Sequence, residues 1–280
     1  MGFEKRIAMA WAPERMTIRA SALALVTVLA LALAAHADEW DIGTGNDNDF
    51  NFTTNTLFHG SEQVHDLSGS GGVADIDWYR MPSDQFASYQ FVVDGLTGDL
   101  RLDLSGTKVQ RIAPDGVTVV ENATIGNFGR VMWLSWLGAG PGILTSQLFN
   151  IRVQNAFCGG NCDSQDRYRV RLYETTYTVP RFNNSGSQST VLFVQNATDR
   201  VCGVTVHFFD GAGALLASSA ATTLSPRQLM VTNTAASVPN QSGSARIVHT
   251  CGFGGLMGKA VALEPSTGFT FDTALLHRPN

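Results

Sequence analysis

The chain has 280 residues, of which 44% are apolar and 15% are charged, and its pI is near 5.6. This composition excludes a disordered chain, a coiled coil and a basic nucleic-acid-binding protein. It is typical of a globular protein rich in glycine and small polar residues, and by itself it indicates no substrate or reaction.

The first 37 residues predict a cleaved secretory signal peptide. An apolar run from Ala20 to Ala35 follows a basic leader and ends at the small-x-small step Ala35-His36-Ala37. A membrane anchor is the alternative, but the run has about 16 residues, fewer than the roughly 20 that a spanning helix needs. We therefore expect export to the periplasm or the medium, with no membrane span in the mature chain, and translation starts at Met1 or at Met16.

An acidic, glycine-containing segment opens the mature chain and contains Asp41, Asp47 and Asp49. Further along, Asp75 and Asp77 occupy alternate positions of a predicted strand and therefore share a face. Oxygen ligands on a pliable loop suit Ca²⁺. These five aspartates are the candidate calcium ligands, and a polar, disordered start of the mature chain is the alternative interpretation of the first three.

A second polar group contains His59, Glu62, His65 and Asp66. These residue types can bind zinc, but spacings of three, three and one do not place the side chains on one face of a strand. A polar loop before the strand at Asp75 is the favoured interpretation.

Short runs rich in β-branched and aromatic residues, several of them alternating with period two, predict strands in both halves of the chain. In the first half they cover 78–81, 89–93, 100–104, 117–120, 131–134, 149–153 and 168–179. In the second half they cover 190–195, 203–209, 214–218, 228–232, 245–249, 258–263 and 269–271. The expected fold class is all-β, with two antiparallel β-sandwich domains in tandem after the signal peptide.

The first half resembles the bacterial pre-peptidase C-terminal (PPC) domain. The residues that carry the resemblance are Asp75-Ile76-Asp77-Trp78-Tyr79-Arg80, Tyr89-Gln90-Phe91-Val92-Val93 and Gly98-Asp99-Leu100. The resemblance covers about residues 51–178 and implies a small β-sandwich with an accessory role in secretion, substrate contact or calcium-stabilised folding. The peptidase that usually accompanies this domain has no counterpart in the sequence.

Trp133 and Trp136 are the candidate binding residues. They are three positions apart on a predicted strand, so their side chains point to opposite faces and both cannot be in the core. An outward-facing tryptophan can stack on a sugar ring or anchor a protein partner. Alternatively, one of the two lies under a neighbouring loop or at a domain interface.

Four cysteines in an exported chain predict disulfides rather than metal thiolates. Cys158 and Cys162 flank a Gly-Gly-Asn tip, where a bond would close a hairpin, and Cys202 and Cys251 then pair within the second half. Three connectivities are formally possible, and this one respects the predicted domain boundary. A redox-active pair, the alternative for the first two, usually has two intervening residues.

Charge divides the mature chain into two parts. Residues 38–180 contain 18 acidic and 9 basic residues, a net charge of −9, and residues 181–280 contain 4 and 6, a net charge of +2. Because the change falls at Pro180 and the polar run that follows it, the expected domains are 38–179 and 180–280. The second half, through 190–196, 208–213 and 267–271, resembles uncharacterised immunoglobulin-like modules of exported bacterial proteins, which implies an architecture and no activity.

The sequence contains no nucleophile elbow, zinc-protease helix motif or phosphate-binding glycine loop. Two functions remain. One is an exported, non-catalytic binding or structural protein that presents sandwich surfaces to a polysaccharide or protein, stabilised by calcium. The other is an accessory subunit of an exported hydrolase, or an enzyme of unrecognised type. An enzyme needs converging carboxylates or histidines in a pocket, whereas a binding sandwich needs a shallow aromatic patch.

Overall fold

The computed structural model of the protein describes residues 53–67, 75–95, 107–125, 131–138, 147–155 and 167–278. Within these ranges nearly all of the regular structure is β-strand, together with a 3₁₀ turn at Thr234–Ala236. The paired strands are antiparallel. The all-β prediction is therefore confirmed.

Two sheets face each other in the first half of the chain. Sheet 1 contains, in spatial order, β1 (Glu62–Asp66), β9 (Arg167–Glu174), β3 (Ser88–Gly95), β7 (Val131–Leu137) and β6 (Thr124–Ile125). Sheet 2 contains β2 (Ile76–Ser83), β8 (Gln147–Asn155), β4 (Thr107–Ile112) and β5 (Val119–Asn122). Their inner faces form one hydrophobic core, in which Tyr79, Phe91 and Tyr168 are among the largest fully buried side chains.

The second half contains two further sheets. Sheet 3 has the order β13 (Leu215–Ser218), β12 (Cys202–Phe209), β16 (Ser242–His249), β10 (Tyr177–Asn183) and β19 (Leu276–His277), and β14 (Thr222–Leu224) also pairs with β12. Sheet 4 has the order β15 (Leu229–Asn233), β11 (Ser189–Asn196), β17 (Leu256–Glu264) and β18 (Phe269–Ala274). A separate core, which includes Phe182 and Phe208, lies between them.

Alternation of side chains explains how these strands build a core. Along β11, Thr190, Leu192 and Val194 are buried while the residues between them are only half-buried, so the strand turns one face inward. A tight turn then joins β12 to β13, where Asp210 Oδ1 accepts the backbone N–H groups of Ala212 and Ala214. The period-two pattern in the sequence therefore corresponds to burial in the structure.

The chain passes from the first sandwich to the second at Thr175 and Thr176. The segment 168–179, expected to be one strand, is two strands, because β9 ends at Glu174 and β10 begins at Tyr177 in the other sandwich. Pro180 lies inside β10, where the register with β16 shifts between Val179 and Phe182. A proline donates no ladder hydrogen bond and is tolerated at such an irregularity.

Cys202, at the start of β12, forms a disulfide with Cys251, which follows β16, as the sequence predicts. Cys158 and Cys162 lie outside the described residues.

Replacing Cys202 and Cys251 together by alanine should destabilise the protein. The bond links residues 49 positions apart, and closing a loop of this length in the unfolded chain corresponds to about 4 kcal/mol in the chain-entropy treatment. Urea unfolding at neutral pH measures the loss. A double variant whose unfolding midpoint equals that of the unmodified protein would contradict a stabilising role for the bond.

Candidate functional site

A cleft of about 810 Å³ lies where the two sandwiches meet. The first sandwich contributes the outer face of sheet 1, and the second contributes loops that follow β11, β14 and β16. The residues that line it are Gln90, Val92, Val131, Trp133, Thr198, Asp199, Arg200, Arg227, Cys251, Gly252, Phe253, Gly254 and Gly255. The cleft therefore combines an indole ring, two guanidinium groups, one carboxylate and a glycine-rich loop.

The two tryptophans of β7 have different environments. Trp133 is half-buried on the outer face of sheet 1, beside Val92 of the neighbouring strand, and lines the cleft. Trp136 is only 3% exposed and stacks on Tyr89 inside the first core. The prediction that the two rings face opposite sides is correct, but Trp136 as a binding residue is wrong, because packing against Tyr89 removes its ring from solvent.

Arg200 is held over Trp133 by the loop that follows β11. Its guanidinium carbon lies 4.2 Å from the centre of the Trp133 ring, a cation–π contact between the two sandwiches. The buried side chain of Asn196 shapes this loop, since its Oδ1 accepts the backbone N–H of Thr198 and its Nδ2 donates to the carbonyl of Arg200. A buried amide thus fixes the backbone that carries the exposed arginine.

Arg227 reaches the cleft from the turn between β14 and β15. Its backbone adopts a left-handed conformation, with φ of 61°, which is uncommon for a residue other than glycine. Its Nη1 donates to the carbonyl of Ala197 at 2.5 Å, and its own carbonyl accepts from Gln195 Nε2 at 3.1 Å. Within the described part of the chain, neither Arg200 nor Arg227 forms an ion pair with a carboxylate.

The loop between β16 and β17 joins the second sandwich to the first. Phe253 stacks on Tyr173 of β9 with ring centres 4.5 Å apart, and its backbone N–H donates to Gln90 Oε1 at 2.9 Å. Gly252 precedes it with φ of 87°, and a Cβ there would lie 2.8 Å from Gln90 Nε2. Any larger residue would both strain the backbone and displace Gln90.

The outer face of sheet 1 also carries charged side chains. Arg169 and Arg171 of β9 both pair with the Asp94 carboxylate of β3. Arg169 also pairs with Glu62 of β1 at 3.5 Å, so the two cations of this group are balanced by two carboxylates. The positive charge of the cleft comes from its own lining, in which Arg200 and Arg227 outnumber Asp199, although the first half of the chain is acidic overall.

His249 forms hydrogen bonds at the connection between the two sandwiches. Its Nδ1 accepts the backbone N–H of Cys251 at 3.1 Å, so its Nε2 carries the proton and donates to the Thr175 carbonyl at 2.7 Å. The Tyr177 ring lies 5.5 Å away. Burial lowers the pKa of His249 from 6.5 to about 4, and the hydrogen bond to Thr175 opposes this shift.

Two of the five candidate calcium ligands lie within the described residues. Asp75 and Asp77 are both buried at the start of β2, as their shared face predicts. Asp75 Oδ1 accepts the backbone N–H of Ile76 at 2.8 Å, and Asp77 Oδ2 accepts the hydroxyl of Tyr168. Burial and the Asp77 charge raise the pKa of Tyr168 well above its usual value, which keeps this hydroxyl a donor. Asp41, Asp47 and Asp49 lie outside the described residues.

The residues considered as zinc ligands take part in packing and hydrogen bonding. The segment expected to be a loop is the strand β1, in which His65 is buried against the rings of Tyr79 and Tyr168. His59 instead contacts Tyr173 and accepts the backbone N–H of Glu174. Across the ranges that the structure describes, no three His, Cys, Asp or Glu side chains group as ligands for a metal ion.

The sequence did not single out Arg200, Arg227 or Phe253. The turn signals around them, Asn196-Ala-Thr-Asp and the glycines at 252, 254 and 255, were visible in the sequence. The sequence does not show that these loops lie at the same end of the second sandwich and meet Trp133 of the first.

Comparisons with known proteins provide little guidance. No protein family and no curated protein matches the sequence. Among solved structures, the full extracellular region of zebrafish Gpr126/Adgrg6 is similar over 78% of this chain and 31% of its own length, with 8% identity and a TM-score of 0.25. A likeness of this size supports no statement about function, and the two family resemblances stay predictions. In the described part of the chain, no helix is long and apolar enough to cross a membrane.

Acidification should lower the free energy of unfolding of the protein, because His249 becomes protonated. Because the folded-state pKa is below 6.5, the unfolded chain binds the proton more tightly, so stability is complete above pH 6.5 and falls as the pH drops towards 4. Between pH 7 and pH 4.5 this residue should contribute a loss of roughly 2 to 3 kcal/mol. Urea unfolding at both pH values, compared with His249→Gln, measures it. An equal loss in the variant would show that His249 is not responsible.

Proposed function

We propose that the protein is an exported, non-catalytic binding protein whose cleft holds an acidic polysaccharide. The observation that carries this proposal is the position of the Arg200 guanidinium over the half-buried Trp133 ring, 4.2 Å from its centre, at the junction of the sandwiches. Arg227 lines the same cleft.

The chemistry of the lining suits sugar acids. A guanidinium can donate two parallel hydrogen bonds to a carboxylate or sulfate, and the indole of Trp133 supports the Arg200 guanidinium from below. Among the described residues, no carboxylate pairs with Arg200, so a ligand carboxylate has none to displace there. The fixed positions of Arg200 and Arg227 on well-bonded loops reduce the entropy lost on binding.

Charge elsewhere in the chain does not prevent this interaction. The net charge of −9 belongs to residues 38–180 as a whole, and exposed charges farther away than about 8 Å are largely screened at physiological ionic strength. The guanidinium groups at the cleft act at contact distance. We therefore expect moderate, salt-sensitive affinity rather than tight binding.

The full-length exported protein should bind polygalacturonate and not dextran, a neutral polysaccharide. Arg200→Ala should weaken binding about tenfold, the cost of losing one charge-assisted hydrogen-bond donor group. Trp133→Ala should weaken it as well, because Arg200 then loses its platform. Affinity electrophoresis in gels containing each polysaccharide gives the dissociation constants.

The matched control is Arg181→Ala, which removes an exposed arginine of the second sandwich that lies away from the cleft. It should bind like the unmodified protein. Equal weakening by both arginine variants would replace a cleft site with nonspecific charge attraction. New reducing ends released from polygalacturonate would contradict the non-catalytic proposal and favour a hydrolase.

We propose further that calcium stabilises the first sandwich through Asp75 and Asp77. Carboxylate oxygens suit this ion, and Asp75 and Asp77 are both buried at the start of β2. Calcium would neutralise the charge of these buried carboxylates.

Millimolar calcium should raise the melting temperature by about 5 °C, and a chelator should reverse the rise. Asp77→Asn is the informative variant, because the amide oxygen can still accept the Tyr168 hydroxyl while the charge is lost. It should fold and lose most of the calcium response in differential scanning fluorimetry. A response equal to that of the unmodified protein would exclude Asp77 as a ligand.

A further inference from the structure

The outer face of sheet 4 differs from the outer faces of the other sheets. Antiparallel sheets commonly bury one face and expose polar residues on the other. Here the inner face lies on the second core, yet the outer positions are also apolar. They are Val191, Phe193, Leu229, Val231, Met257, Val261 and Leu263, and together we call them the sheet 4 patch.

Register places these side chains next to one another. Phe193 pairs with both Val231 and Lys259, and Val191 pairs with Val261, so the patch is continuous across β15, β11 and β17. Leu229, Val231 and Met257 are 50%, 56% and 54% exposed, and the other four side chains of the patch are half-buried. A contiguous apolar patch of this kind marks an interaction surface.

The other outer faces provide the contrast. Sheet 1 carries Arg169, Arg171 and Asp94 on its outer face. On sheet 2, Arg152 covers the ring of Trp78. On sheet 3, Phe86 of the first sandwich packs on His207 and Phe209. Of these faces in the described part of the chain, sheet 4 is the one that leaves a broad apolar surface uncovered.

We infer that the sheet 4 patch is the contact surface between two copies of this chain. Its charged residues are Lys259 and Asp272, whose side chains pair at 2.7 Å, so the face is electrically neutral. Two identical faces can therefore meet about a twofold axis without repulsion, each offering one cation and one anion to the other.

The size of the face agrees with a weak dimer. Four strands about 4.8 Å apart, with a rise of about 3.4 Å per residue over seven or so residues, give a face of roughly 500 Å². Specific, stable interfaces bury about 600–1,000 Å² on each partner, so this face alone is below that range and in the size class of weak, transient contacts. We therefore expect dissociation in the range of roughly tens of micromolar.

Sedimentation equilibrium of the full-length protein from about 1 to 200 µM tests the inference. The unmodified protein should shift from monomer to dimer, and Val231→Asp should raise the dissociation constant at least tenfold by placing a charge in the contact. Val201→Asp is the matched control, since Val201 is 61% exposed in a loop outside the patch, and it should dimerise normally.

Circular dichroism establishes that both variants are folded, and Met257→Glu serves as a second patch variant. A protein that stays monomeric throughout the concentration range would overturn the inference, as would a dimer that both valine variants disrupt equally. The result is independent of the polysaccharide proposal, because Arg200→Ala should leave dimerisation unchanged.

Discussion

The arrangement of the protein depends on a short connection between two sandwiches. Only Thr175 and Thr176 separate β9 from β10, so the connection keeps the two sandwiches close, and further contacts fix how they sit against each other. Side-chain contacts do this, above all the stacking of Phe253 on Tyr173 and the hydrogen bond from His249 to Thr175. The disulfide at Cys251 anchors the loop that carries Phe253, directly after His249 at the end of β16.

The cleft is a consequence of that junction. Trp133 would be one more half-buried residue on an outer face if the second sandwich did not bring Arg200 over its ring. The second sandwich therefore has two different surfaces, a polar and charged one at its loops and an apolar one on sheet 4. The first suits a charged ligand that exchanges with water, and the second suits a protein surface that excludes water.

Local patterns in the sequence predicted much of the fold and little of the site. Alternation identified β11 and β12, and the pairing of Cys202 with Cys251 followed from the separation of the halves. The alternation of side chains along a strand showed that Trp133 and Trp136 face opposite sides of the sheet. Which of these sides faces the core depends on Tyr89, a residue of another strand. The strand β1 was missed because its core-facing positions, Gln63 and the buried His65, are polar and give no apolar alternation. The cleft joins residues from Gln90 to Gly255, and no local pattern reports such long-range contacts.

The most direct test of the proposed polysaccharide site is a crystal structure of the protein with an oligogalacturonate. A sugar carboxylate should lie within hydrogen-bond distance of the Arg200 guanidinium, which should stay over the Trp133 ring, with the sandwiches in contact through Phe253. An oligosaccharide bound at any other surface, or a cleft that is closed by a different arrangement of the two sandwiches, would contradict this prediction.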